Sequence, residues 1–236
     1  MALPQPHFLI NFKTATETIG EDGLAFARTI ERVRDETERH FAVAPQLTDL
    51  RLVADRTSLP IVAQSATRRE DATLGATTYE AVAAAGADAV FVNHPQNEAT
   101  FADVARAVDR CDDLGLESIV CVTSREQGRA ALTYDPDWLL FERPADIASE
   151  SGLVRTHPER IAAFVDMVDA EHPRTNVFVG GGIRTAEDVE RAFSCGVDAA
   201  GAASAALEAS DRAAWLRSIA RAVPDAVECD ESTQGK

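Results

Sequence analysis

Lys13 is conspicuous by rarity: the only other lysine is the terminal Lys236, and the rest of the Lys+Arg total is arginine. A chain that avoids lysine yet keeps one internally needs what arginine does not supply, a compact hydrated ammonium on a flexible stem. Asn11 lies two residues earlier, so in an extended strand both side chains share a face and Phe12 takes the other. His94 closes the apolar run DAVFVNH, and Glu142 closes DWLLFE. An imidazole that polarises a carbonyl and a partly desolvated carboxylate that takes the proton from the adjacent carbon form an acid–base pair. Gly180, Gly181 and Gly182 follow TNVFV, and Gly201 and Ala202 open GAAS at the end of another run. Bare main-chain N–H groups at such places bind anions without basic side chains.

Eight short, apolar, mostly β-branched runs must position these groups: HFLINF, FAVAP, PIVAQ, DAVFVNH, LESIVCV, DWLLFE, TNVFVGG and GVDAAGA, each followed by a helical stretch. No linker or composition break divides them, so they predict one α/β domain, a (β/α)8 barrel over residues 1–224, with a polar tail over 225–236. The rival, an open doubly wound sheet, usually has fewer strands and often a Gly-rich turn after the first, which INFKTATET lacks. Helix punctuation agrees. Glu21 or Asp22 opens a helix running to about Arg39, and Thr185 caps TAEDVERAFSCG, with Glu187 and Asp188 in its first turn and Gly196 closing it. In a barrel, chemistry sits at the C-terminal strand ends and phosphate binds the loops after strands seven and eight. That places Asn11, Lys13, His94, Glu142 and both glycine clusters in one mouth.

Composition narrows the partners. A formal charge of −16 and a pI near 4.7 repel nucleic acid and anionic membrane, and the scattered acids read as a surface adapted to high salt. No apolar run reaches membrane-spanning length. Cys111, Cys121, Cys195 and Cys229 show no CxxC spacing or histidine pairing, and no basic region precedes an apolar one at the start, so the expectation is a cytoplasmic protein with reduced thiols and no structural zinc.

The motifs INFKT, VAPQ (Val43 to Gln46), VAQ (Val62 to Gln64), VNHPQN (Val92 to Asn97), FERPADI (Phe141 to Ile147) and GGGIRTAEDV (Gly180 to Val189) occur in an order that resembles the triosephosphate isomerase family in its shorter archaeal form, from His7 to Val223. The resemblance implies an aldose–ketose isomerase of triose phosphates in glycolysis and gluconeogenesis, with no metal or organic cofactor. It implies that Asn11 and Lys13 bind substrate and its developing charge, that His94 is an electrophile working as a neutral imidazole, and that Glu142 is the base. Gly180, Gly181, Gly182, Gly201 and Ala202 would hold the phosphate, and the loop from Ser65 to Val82 would reach a partner in a homodimer or homotetramer.

Two departures accompany it. Pro95 and Gln96 follow the histidine where the family usually has Ser and Glu, so Lys13 loses its usual anionic partner. Ala148, Ser149 and Glu150 replace the Gly-Thr-Gly of the family's lid, and a carboxylate there repels a phosphate dianion unless Glu150 turns to solvent, or Arg143, Arg155 or Arg184 offsets it, or the ligand differs. An isomerase of another small phosphorylated aldose or ketose, or a phosphometabolite-binding paralogue without turnover, is the alternative these departures raise. In the loop from Ser65 to Val82 the family's Thr-Gly pair reads Leu74, Gly75.

Overall fold

A computed structural model of the chain describes residues 2–67, 74–146 and 152–225. Each apolar run contains a strand: β1 (His7–Asn11), β2 (Phe41–Ala44), β3 (Val62–Ala63), β4 (Ala89–Val92), β5 (Glu117–Val122), β6 (Trp138–Phe141), β7 (Asn176–Val179) and β8 (Ala199–Ala202). All pair in parallel in the order β2-β1-β8-β7-β6-β5-β4-β3. A bridge between Val43 and Ile61 joins the β2 and β3 edges, closing a (β/α)8 barrel. β3 is the shortest strand, and Pro60, at the start of its run, has no N–H to give to a ladder.

Around the barrel lie α1 (Glu21–Thr37), α2 (Leu50–Ala54), α3 (Tyr79–Ala84), α4 (Phe101–Leu114), α5 (Arg125–Leu132), α6 (Leu153–Thr156), α7 (Pro158–Glu171), α8 (Ala186–Ser194), α9 (Ser204–Glu208) and α10 (Arg212–Ala220). Among the described residues none is long and apolar enough to cross a membrane. α1 ends two residues short of the expected Arg39, because Glu38 turns left-handed at φ 57° and returns its N–H to Arg34. Thr185 caps α8 as expected, in a reciprocal capping box with Asp188.

The strands are buried on both faces, so alternate residues serve two layers. Leu9, Phe91, Ile119, Trp138, Leu140 and Phe178 fill the barrel interior, while Phe8, Ile10, Val43, Val90, Val120 and Val177 pack beneath the helices. At the N-terminal end one device recurs. Asp88 Oδ2 accepts the Ile61 N–H at 2.9 Å, Asp137 Oδ2 that of Ser118 at 2.8 Å, and Asp198 Oδ2 that of Val177 at 2.8 Å. Each aspartate introduces one strand and satisfies a donor at the start of the strand before it, which explains the acids that open these otherwise apolar runs. Burial pushes the Asp198 carboxyl upward, opposed by its bond to Val177.

Candidate active site

Asn11 continues the inward face of β1 after Leu9, and its Oδ1 accepts the Lys13 N–H at 2.8 Å. Lys13 is left-handed, φ 49°, which costs an L-residue about 1 kcal/mol. Two glutamines from the ends of β2 and β3 hold this loop. Gln64 Nε2 donates to Lys13 O at 2.9 Å, and Gln46 Nε2 to Ala15 O at 2.8 Å and Thr18 Oγ1 at 3.1 Å. Both stand in motifs visible in the sequence, but their work as loop clamps was not legible there. Phe12 anchors the far side, fully buried and stacked on Phe26 at 5.1 Å. The Lys13 ammonium donates to Gln96 Oε1 at 3.3 Å.

Glu142 extends the inward series Trp138, Leu140 and is only 8% exposed. On β4 the inward series Ala89, Phe91 leads to Asn93, not to His94. Asn93 however has φ 58°, a conformation asparagine tolerates. Its Nδ2 donates to Cys121 O at 3.0 Å and its Oδ1 accepts the Ala99 N–H at 2.9 Å, so the mouth is left to His94. His94 Nε2 lies 3.4 Å from Glu142 Oε2. The Gln96 N–H donates to His94 Nδ1 at 3.1 Å, which requires a lone pair there. The hydrogen-bond network thus assigns the ring proton of a neutral imidazole to Nε2, facing Glu142. Behind them the Cys121 thiol is pushed far up by burial and by the Glu142 charge, so it stays protonated and inert.

Asn11, Lys13, His94, Glu142, Gly180, Gly181, Gly182, Gly201 and Ala202 all line one cleft at the C-terminal end of the barrel, floored by Leu9, Phe91, Leu140 and Phe178. It opens to solvent at its mouth, and the space it encloses, open solvent included, is about 630 Å³. Gly181 and Gly182 are both left-handed, φ 78° and 70°, and among the described residues no main-chain acceptor takes their N–H groups. Gly180 belongs with the carboxylate instead: a Cβ there would sit 3.6 Å from Glu142 Oε1. Gly152, unremarkable in the sequence, is a packing requirement, since a Cβ would meet Gly181 O at 2.5 Å.

The arginines near this rim are engaged. Arg155 Nε donates to Asp188 Oδ1 at 2.7 Å, and Arg184 pairs with Glu208 at 2.8 Å. Burial would raise Asp188, but Arg155 and the N–H groups of Arg184 and Thr185 outweigh it and hold the carboxyl below its usual range. Ala148, Ser149 and Glu150 lie outside the described residues. Among the described residues no group of three or more His, Cys, Asp or Glu side chains is placed to hold a metal.

A carboxylate and a neutral imidazole facing each other over an apolar floor, with glycine N–H groups alongside that no main-chain acceptor takes among the described residues, define a (β/α)8-barrel enzyme equipped for proton transfer on a small ligand. Comparison with known proteins is specific. A family model described as triosephosphate isomerase matches residues 6–136, and one described as histidine biosynthesis protein matches residues 152–231. The chain is 31% identical to the triosephosphate isomerase of Methanothermus fervidus over 92% of its own length and 98% of the relative's. It is 29% identical to that of Methanocaldococcus jannaschii, over 89% and 97%. A crystal structure of triosephosphate isomerase from Bartonella henselae shares the fold at a TM-score of 0.70 and 16% identity, over 92% of this chain and 98% of that one. The chain belongs to the triosephosphate isomerase family.

Proposed function

We propose that the cleft interconverts D-glyceraldehyde 3-phosphate and dihydroxyacetone phosphate by proton transfer through an enediolate. The observation that carries this reading is the 3.4 Å approach of His94 Nε2 to Glu142 Oε2 at the buried end of the cleft. The Glu142 carboxylate takes the proton from the carbon beside the carbonyl, and the electron pair of that C–H bond forms the C=C bond of the enediolate. His94, through its Nε2–H, polarises the carbonyl oxygen and relays protons between the two oxygens. Protonated Glu142 then returns a proton to the neighbouring carbon, so nothing is oxidised or reduced overall. Lys13 and Asn11 face the developing negative charge, and the phosphate sits against Gly181, Gly182, Gly201 and Ala202. No step calls for a metal or organic cofactor.

The test is a panel of small phosphorylated aldoses and ketoses offered to purified protein in molar KCl. Turnover confined to the two triose phosphates is the expected result. Turnover of a different phosphosugar, or tight binding with no turnover by folded protein, would overturn it.

The reading carries a place in glycolysis and gluconeogenesis, a cytoplasmic location and a homodimer or homotetramer. Assembly is supported by Leu74, fully exposed beside Gly75 in the loop expected to reach a partner. Leu74→Asp is expected to shift the species seen by light scattering toward monomer. The acid excess supports dependence on salt, which screens self-repulsion. A melting temperature that rises from low to molar KCl is expected, and an unchanged one contradicts it.

A further inference from the structure

Outside the barrel wall, where α4 and α5 cover β5, a cavity of about 290 Å³ opens to the surface. Its depth is apolar: Val104 of α4, Val120 and Val122 of β5 and Ala131 of α5 line it and are all buried. An apolar cavity of about 150 Å³ already holds a benzene ring, so this one has room for a fused pair of rings. Its outer end differs. Glu98, Phe101 and Gln127 line it there, and the Phe101 side chain is 61% exposed.

The polar groups of this cavity have a definite sense. The N–H and the hydroxyl of Thr123 both donate to Gln127 Oε1 at 2.8 Å, and a main-chain N–H can only donate, so the orientation of the Gln127 amide is fixed. Among the described residues neither Gln127 Nε2 nor the Tyr134 hydroxyl has a hydrogen-bond partner, and both side chains line the cavity. Its one charged lining group among those described is the Glu98 carboxylate, and no lysine or arginine accompanies it. In charge the cavity is therefore the opposite of the cleft, where Lys13 and Arg184 stand in the lining. An apolar depth with a few hydrogen-bonding groups and a carboxylate at the mouth suits an aromatic ring that is neutral or carries an amine. An ammonium at the mouth finds the Phe101 ring as well as Glu98, whereas an anion is repelled by Glu98 and by a chain of formal charge −16.

The cavity shares its wall with the acid–base pair. Asn93 and Pro95, on either side of His94, line it, and so does Pro144, two residues after Glu142. Asn93 is left-handed at φ 58° and holds Cys121 O and the Ala99 N–H, so a shift of its side chain is passed to His94. We propose that this cavity is a second ligand site, for a flat aromatic molecule that is neutral or carries an amine, and that its occupant lowers turnover by displacing the segments that carry His94 and Glu142. The binding half stands on the cavity alone, and the effect on turnover rests on the isomerase reading of the cleft.

The probes are indole, tryptamine and indole-3-acetate, the same ring system in neutral, cationic and anionic form, titrated by calorimetry at the lowest KCl concentration that keeps the protein folded, where charge is least screened. Indole is expected to bind with a dissociation constant of about 1 mM or tighter, tryptamine about fivefold tighter, and indole-3-acetate about fivefold weaker or not at all. Glu98→Gln is expected to bring tryptamine level with indole, Tyr134→Phe to weaken both by about threefold or more, and Ala131→Phe, which fills the depth of the cavity, to abolish binding. Saturating tryptamine is expected to lower kcat for glyceraldehyde 3-phosphate about fivefold with KM within about twofold, and Ala131→Phe is expected to be insensitive to it. Absence of binding by folded wild type, equal binding by wild type and Ala131→Phe, a rise in KM alone, which places the ring in the cleft, or binding with kcat unchanged would each overturn the proposal. So would a Phe101→Asp protein that scatters light as a smaller species, because a second copy of the chain would then cover the mouth. Should Ala131→Phe not fold, affinities unchanged in both Glu98→Gln and Tyr134→Phe would overturn it equally. If wild type turns over no substrate, the isomerase reading fails separately, and the calorimetric series still decides whether the cavity takes the ring.

Discussion

Asn93 occupies the inward register position at the end of β4, yet His94 is the residue that faces Glu142, because Asn93 turns left-handed at φ 58° and spends its amide on Cys121 O and the Ala99 N–H. The aim of the imidazole is thus set one residue earlier. Asn93→Gly keeps the backbone conformation and loses two hydrogen bonds, while Asn93→Ala loses the bonds and adds about 1 kcal/mol of left-handed strain. Melting temperature and kcat are expected to fall in the order Asn93, Gly, Ala. A wild-type kcat in Asn93→Ala would mean that His94 is aimed by something else.

The Nε2–H tautomer makes a prediction at His94 itself. His94→Gln retains a donor but cannot relay protons between two oxygens, so kcat is expected to drop by about 10² or more with KM changed only several-fold. Steady-state kinetics on protein with a wild-type melting curve check this.

Gly201 carries the floor of the cleft. A Cβ there would lie 2.9 Å from both Leu9 O and the Phe178 ring, so Gly201→Ala must displace the ring or strand β1. Overpacking of this kind costs about 1–3 kcal/mol. Chemical denaturation is expected to report that loss, together with weaker substrate binding as Phe178 is pushed toward the ligand.

At the opposite end of the barrel His7 is fully buried, with Nδ1 donating to Pro4 O at 2.7 Å, its ring edge-on to Trp138, and Nε2 without a partner among the described residues. Burial, against the Pro4 bond, lowers its pKa to about 4. The unfolded chain titrates near 6.5 and so binds the proton first, which means stability is intact above that pH and falls as the pH drops from about 6.5 to about 4. The shift corresponds to about 3 kcal/mol. His7→Leu is expected to flatten that part of the stability profile relative to wild type, and parallel profiles would show that His7 contributes nothing to it.

The eight strands were legible because parallel strands buried on both faces read as unbroken apolar runs, and Glu142 was legible because it simply prolongs such a run in phase. His94 reaches the cleft for a reason the sequence does not contain, since strict alternation would have put Asn93 in the mouth. The pairing of Lys13 with Gln96 joins residues 83 apart in the chain, and only the family resemblance, which puts Gln96 at the place of the lysine's usual partner, pointed to it. Gly180 was grouped with its two neighbours by composition, whereas geometry separates it, because it is the last residue to follow the inward alternation of β7 and so meets the carboxylate. The clamps Gln46 and Gln64 show the same limit: their positions were visible, but their acceptors are main-chain carbonyls whose placement only the fold determines.

The central claim is that Glu142 moves the proton, and the most direct test is the isomerisation rate of glyceraldehyde 3-phosphate by wild type beside Glu142→Gln, both folded and in molar KCl. Loss of the acid–base group is expected to lower kcat by about 10²–10⁴ with binding of inorganic phosphate preserved. A Glu142→Gln protein that retains a kcat within a few-fold of wild type would contradict the account.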